Sequence, residues 1–356
     1  MEENSAAEQI RRKQRIKQIL AEIVENLKDY FDELQLQEFG EKSRFVVLNR
    51  ISSIHKVGSK GLKLVTADFN SELGSLTLKI AIKKFTTPEE AMQNKLLTNR
   101  LASKLKDTGV LTPRVIFEHG TILIYEGIKG ESFHDSELNS EVKLLLTGEA
   151  LSKFHSGIIR PIEKERYVFL LRKTLRDLII PEERKTEFIN LASKLLAKVL
   201  SSNGHSGGTT GFGDFHPGNV LFSIEKDGNG TKKIQTWLID PEYVEEEQSA
   251  DRMEDVGTFF LHSAIDNYYK HGNLKIFQTE VQPFIEGYER YLSSVGLSIN
   301  DIYENYQSTL SFHLGLNALL EGLFLQKRVN MDDARTFDRM ATCIALANYC
   351  WKSGLR

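Results

Sequence analysis

The chain has 356 residues, 40% of them apolar and 27% charged, with a formal net charge of −3. That length suits two domains or one bilobal unit with a substantial core. The near balance of charge supplies no bulk attraction to nucleic acid or to a membrane surface, and no run of 18 apolar residues is present to span a bilayer. The opening MEENSAAEQIRRKQ places acids before bases with no apolar core, which is not the pattern of a signal peptide. Cys343 and Cys350 fall seven apart in a helical pattern, roughly 10 Å along the axis at 1.5 Å per residue. That is too far for a disulfide, so reduced thiols and a cytoplasmic setting are expected.

Residues 5–36 read as one long helix, with Ile16, Ile19, Leu20, Ile23, Leu27, Phe31 and Leu34 at three- and four-residue steps. Its basic cluster, Arg11, Arg12, Lys13, Arg15 and Lys17, reads as a solvated face above an apolar stripe, with contact to a phosphate-bearing partner as the alternative. The stripe lacks a sustained heptad, which disfavours a coiled-coil dimer. Burial against the chain's own strand region, near a helix starting at Pro88, is expected instead. The oligomeric state is left open, with a monomer favoured.

From 44 to 85 the pattern is that of strands. RFVVLNRISSIH is rich in β-branched residues, VGSKG marks a turn, and LKLVTADF and LTLKIAIKKF alternate around the turn NSELGS. An antiparallel meander follows. In its third strand Leu76, Leu78, Ile80 and Ile82 face one way, and Lys79, Ala81, Lys83 and Phe85 the other. Ala81 beside Lys83 leaves room for a flat ring next to an ammonium. Thr87 is the expected N-cap of the next helix, with Pro88 at its first position. Two more strands, in TPRVIFEHG and TILIYEGI, complete a small α+β lobe. The glycines of EGIKG, 126–130, suggest a hinge.

Beyond Gly130 helices dominate, in SELNSEVKLLLTGEALSKFHSGI, in ERKTEFINLASKLLAKVLSS and from about 251 to the end. Between them lies GFGDFHPGNVLF, residues 211–222, followed by the turn KDGNG and the strand KIQTWLI, which together read as a hairpin. A hairpin returns its ends side by side, so Asp240 in WLIDPEY is expected beside Asn219. A carboxylate at Asp214 can accept or align a hydroxyl proton. One amide oxygen and one carboxylate, completed by waters and phosphates, suit Mg²⁺. Each residue alone also fits ordinary turn chemistry.

In this order and spacing, Lys83, GDFHPGN and LIDPE resemble the protein-kinase-like fold, and within it the aminoglycoside phosphotransferase and choline kinase family of small-molecule kinases. The family's catalytic loop is matched by Gly213 to Asn219, its metal segment by Ile239 to Glu242, and its interlobe stretch by YEGIKG. ALSKFH, ending at His155, and EDVGTF, with Asp255, match two further family elements. The resemblance covers about 44–265. It implies an α+β, bilobal architecture with a small antiparallel-sheet N-lobe and a large, mainly helical C-lobe. Residues 1–40 would form a helical extension, 41–128 the N-lobe and 129–356 the C-lobe. It also implies ATP and Mg²⁺ as cofactors. Asp214 would be catalytic, Asn219 and Asp240 would hold the metal, and Lys83 would meet the α- and β-phosphates beside Ala81. The backbone of Glu126 and Ile128 would bind adenine. The turn containing Gly58, Ser59 and Gly61 would lie over the phosphates.

The sequence departs from the family in two places. Phe212 stands where the family often has His, and no glutamate is well placed to pair with Lys83. Glu89 and Glu90 come early, with Gln93 or Asn94 nearer the usual position. His216 stands two residues after Asp214, where Ser/Thr kinases carry lysine, and no A-P-E sequence follows Asp240. The implied activity is transfer of the ATP γ-phosphate to a hydroxyl of a small molecule such as an aminoglycoside, an amino alcohol or a sugar-like compound. The acidic run EYVEEEQ fits either a cationic acceptor or a solvated loop. The competing readings are a nucleotide-binding regulator without turnover and an atypical protein kinase.

Overall fold

The alternating segments of the first third form the strands β1 (Val46–Val57), β2 (Leu62–Ser71) and β3 (Ser75–Lys84), followed by β4 (Val115–His119) and β5 (Ile122–Glu126). They make one five-stranded sheet in the order β1-β2-β3-β5-β4, and all of its pairs are antiparallel. The computed structural model describes residues 10–11, 13–20, 28–57, 62–128, 130–156, 164–201, 208–226, 232–242, 249–328 and 334–354. The chain divides into two compact units. One comprises Met1–Ser103, Leu111–Gly130 and Ser223–Lys233, and the other Lys104–Val110, Glu131–Phe222 and Ile234–Arg356.

Period-two alternation gives the sheet two apolar faces. Val65, Ala67, Phe69, Ile80, Ile82 and Ile124 are buried on one face, where Ile16, Leu20 and Phe31 pack. Ala81, Leu123, Tyr125 and Phe85 line the other, under Ala91 of α2 (Pro88–Leu105). Residues 13–20 are helical, and α1 runs Lys28–Phe39. The helical stripe is therefore buried in the chain's own sheet unit. It lies on the face opposite α2, however, and not near it as the sequence suggested. The sequence locates an apolar stripe, but either face of a two-sided sheet can receive one. Ile23, Leu27 and Arg12 fall outside the described residues, while Arg11, Lys13, Arg15 and Lys17 are exposed. Helical structure extends three residues beyond the expected end at 36, to Phe39.

The start of α2 is capped as expected. The Thr87 hydroxyl accepts the Glu90 N–H at 3.2 Å, and the Glu90 carboxylate accepts the Thr86 N–H at 2.9 Å. Cross-strand polar contacts pin the outer sheet. Asp68 accepts from Arg50, Ser52 and Thr77, and these bonds hold its carboxyl down at about 2.

The second unit is mainly helical. It contains α3 (Ser140–Phe154), α4 (Lys164–Asp177), α5 (Glu182–Ser201), α6 (Arg252–His271), α7 (Lys275–Ser294), α8 (Ile299–Ile302), α9 (Tyr306–Arg328) and α10 (Ala334–Gly354). α4 is an addition to the expected elements. Its buried residues Tyr167, Leu171 and Leu175 recur every four positions. Short strands frame the loop between α5 and α6. β7 (Gly208–Thr210) pairs with β10 (Ser249–Asp251), and β6 (Glu131–Ser132) pairs with β8 (Val220–Lys226), which neighbours β9 (Lys232–Leu238). Both cysteines are free and buried, and burial pushes each thiol up to about 12. No helix among the described residues is long and apolar enough to cross a membrane.

Candidate active site

The stretch 211–219 leaves β7, passes through Asp214 and closes in a single 3-10 turn, Pro217–Asn219, capped by His216. Proline at the first turn position presets the backbone. β8 begins at Val220, and its neighbour β9 ends at Leu238. The Ile239 N–H donates to the Asn219 carbonyl at 3.1 Å, which sets Asp240 next to Asn219. The Asn219 side-chain NH₂ donates to the Asp214 carbonyl at 2.8 Å. That bond directs its amide oxygen away from the Asp214 backbone. Asp240 has φ +54°, the left-handed region that aspartate tolerates better than most residues. The Glu242 N–H closes on the Phe212 carbonyl at 3.0 Å. Asp214, Asn219 and Asp240 are thus linked by one side-chain and one backbone hydrogen bond, with Asp240 directly following Ile239.

The loop is held from behind by Asp255, in the first turn of α6. Its carboxylate accepts the Phe212 N–H at 2.8 Å, the Gly213 N–H at 3.0 Å and the His155 Nε2–H at 2.9 Å. A carboxylate only accepts here, so Nε2 carries the imidazole hydrogen and Nδ1 accepts from the Tyr288 hydroxyl at 2.8 Å. Burial pushes the His155 pKa down to about 4, against the opposing pull of Asp255. Burial likewise raises the Tyr288 phenol, so both rings keep these roles at neutral pH. Phe212 and Phe215 are fully buried, and Phe212 stacks edge-to-face with both Phe154 and Phe215. Phe212 therefore serves in packing.

A second buried network, with no announcing motif, ties the base of the loop to the later helices. Asp251 caps α6 through the Met253 N–H at 2.8 Å and accepts the Tyr303 hydroxyl at 2.7 Å. Its own N–H donates to the Tyr167 hydroxyl, which donates to Glu254 at 2.7 Å. His313 lies 3.6 Å from the Asp251 carboxylate. The one local signal for this network is an aspartate directly before a helical pattern.

On the sheet unit, Lys83 is half-buried, opposite Leu123 in register, with its ammonium 5.2 Å from the Phe85 ring centre. Ala81 is opposite Tyr125. Glu90 serves the helix cap, and Asn94 accepts the Tyr125 hydroxyl at 2.6 Å. The Glu126 N–H donates to the Arg114 carbonyl at 2.9 Å, and its carboxylate pairs with Arg114 at 2.7 Å. Any bond from Glu126 to a base would therefore use its carbonyl. Ile128 follows Gly127, where a side chain would collide with the Lys79 carbonyl at 1.8 Å. Gly58, Ser59 and Gly61 lie outside the described residues, as do residues 243–248 of the acidic run.

Comparison with solved structures places this architecture. The choline kinase LicA from Streptococcus pneumoniae superposes with a TM-score of 0.51 at 16% identity, covering 91% of this chain and 100% of that one. A choline/ethanolamine kinase family protein from Mesorhizobium loti matches at 0.50 and 14%, covering 85% and 92%. The fold is that of the choline and ethanolamine kinases. The Plasmodium vivax ethanolamine kinase agrees, at 0.50 and 11% identity over 85% of this chain and 83% of that one. At such identities the likeness is one of fold. No family model matches the sequence, and no curated protein matches it either.

The donor set fits a small hard cation. The Asn219 amide oxygen and the Asp240 carboxylate would offer hard oxygen donors, and Mg²⁺ takes few protein ligands beside waters and phosphates. Among the described residues no three His, Cys, Asp or Glu side chains cluster as a metal site. A site with two protein ligands, one of them an amide, does not require such a cluster.

Proposed function

We propose that this protein is an ATP- and Mg²⁺-dependent phosphotransferase that moves the γ-phosphoryl group to a hydroxyl of a small molecule. The observation that carries the reading is the convergence of Asp214, Asn219 and Asp240, built by the Ile239–Asn219 and Asn219–Asp214 hydrogen bonds. Asp214 aligns the acceptor hydroxyl and takes its proton. Asn219 and Asp240 would hold Mg²⁺, which when bound neutralises phosphate charge. Lys83, on the face shared with Ala81, would meet the nucleotide's phosphates. The Glu126 carbonyl and the Ile128 backbone would take the adenine edge, and the turn at Gly58, Ser59 and Gly61 would cover the phosphates. Phosphoryl transfer asks a protein mainly for positioning and for fixed charges where charge develops. The rigid anchoring of the loop by Asp255 supports that demand. Amino alcohols are the first acceptor class to screen, because the matching folds named above include choline and ethanolamine kinases. Aminoglycosides and sugar-like alcohols come next.

The test is ADP release from ATP with and without Mg²⁺, across that acceptor panel. Asp214→Asn keeps the shape and removes the proton acceptor, so turnover is expected to fall by about two orders of magnitude while nucleotide binding persists. Asp240→Ala should remove the Mg²⁺ dependence of ATP binding and leave the fold intact. Unchanged turnover in Asp214→Asn would end the phosphotransferase reading.

A further inference from the structure

His216 carries a hydrogen-bond donor whose direction the loop determines. Its Nδ1 accepts the Gly218 N–H at 3.0 Å, so in the neutral ring the hydrogen resides on Nε2. The ring edge lies close to Gly218, where a Cβ would sit 2.7 Å from His216 Cε1. Nε2 stands 3.6 Å from the Asp214 carboxylate oxygen Oδ2, and both side chains are more than a third exposed, 39% and 36%. That spacing is longer than a hydrogen bond. It is also short enough for one oxygen atom to lie about 2.8 Å from both groups at once.

We infer that His216 is a second catalytic residue, donating Nε2–H to the acceptor hydroxyl while Asp214 receives that hydroxyl's proton. This role rests on the phosphotransferase reading. A hydroxyl both donates and accepts, so it can satisfy the pair. A protonated amine has no lone pair for Nε2–H, and the pair therefore selects alcohol acceptors over ammonium groups. With one lone pair tied to His216 and the O–H aimed at Asp214, the remaining lone pair is oriented at phosphorus. The bond from the acceptor oxygen to the γ-phosphorus forms as the bond from that phosphorus to the β,γ-bridging oxygen breaks. The bridging oxygen keeps the electron pair and leaves as ADP, and the hydroxyl proton passes to the Asp214 carboxylate.

Two substitutions separate the donor from the turn. His216→Asn can keep the cap on the Gly218 N–H through its Oδ1, but its amide nitrogen stops one bond short of the Nε2 position. His216→Gln reaches that position and gives up the cap. ADP release from Mg²⁺-ATP is measured with water and with choline as acceptors, alongside melting temperature, ATP affinity and Asp214→Asn as a control. His216→Asn is expected to keep the melting temperature and ATP affinity and to lose about 10²-fold in turnover, the scale of a misplaced reactant. His216→Gln is expected to recover most of that loss while melting earlier. Turnover in His216→Asn within about two-fold of wild type would overturn the role, on the same scale. So would a loss in His216→Gln as deep as in His216→Asn, since the turn would then be what matters. If Asp214→Asn turns over as fast as wild type, the phosphotransferase reading itself fails and takes this role with it. If Asp214→Asn is impaired and both His216 variants are not, only the role of His216 fails.

Discussion

Replacing Asp255 with alanine strikes the loop at its anchor. The carboxylate is 1% exposed and takes three donors, the Phe212 and Gly213 N–H groups and His155 Nε2–H, at 2.8, 3.0 and 2.9 Å. A buried donor stranded without an acceptor costs about 1–3 kcal/mol, so three of them bound the penalty between about 3 and about 9 kcal/mol. Water entering the space left by the carboxylate moves the result toward the lower end. The expected loss is about 4 kcal/mol, toward the lower end of that range. Against a total stability of about 5–15 kcal/mol this is a large fraction. Urea unfolding reads the loss, and amide hydrogen exchange locates it, because protection should drop at Phe212 and Gly213. Turnover should fall as well, since Asp214 directly follows the two released amides. Asp255→Asn keeps one acceptor oxygen but turns an NH₂ toward a donor, so an intermediate loss is expected. A stability change in Asp255→Ala below about 1 kcal/mol, with unchanged exchange at the two amides, would refute the anchoring argument.

Two further expectations follow from burial. His155 is held at about 4 against an ordinary 6.5, so between those values the unfolded chain binds more protons than the folded one. Stability is therefore fully present above about pH 6.5 and declines by roughly 3 kcal/mol as pH falls to about 4. Unfolding free energies across that window should decline less steeply in His155→Asn than in wild type, and parallel slopes would show that another group governs the acid limb. Phe31 is 1% exposed and its ring centre lies 4.8 Å from that of Phe69. Phe31→Ala should cost about 3–5 kcal/mol and weaken ATP binding through the sheet that carries Lys83. Thermal and urea unfolding check the first effect and calorimetric titration with ATP the second; a loss below about 1 kcal/mol would mean the helix is only loosely attached.

Much of this architecture is legible in the sequence because its causes are local. Strict alternation in LTLKIAIKKF separates Ile80 and Ile82 from Ala81, and the two sets do enter different clusters. Thr87, Pro88 and Glu90 build a helix start from adjacent residues. The juxtaposition of Asn219 and Asp240 follows from the neighbouring strands β8 and β9, some twenty residues of alternating sequence. α4 carries a regular apolar stripe and was readable by the same rule, though it lies outside the expected elements.

What only the tertiary structure decided depends on partners far apart in the chain. ALSKFH and EDVGTF are visible as motifs, but nothing in either shows that His155 and Asp255, 100 positions apart, share a hydrogen bond, or that Tyr288, 133 positions on, supports the ring from its other side. The face of the sheet covered by Ile16, Leu20 and Phe31 was equally undetermined, because both faces are apolar and a stripe fits either. The Asp251 network joins Tyr167, Tyr303 and His313 from three separate stretches of the chain. Periodicity records which side of an element avoids water. It does not record which other element meets that side, since burial is non-directional and the choice is made by the packing of the whole chain.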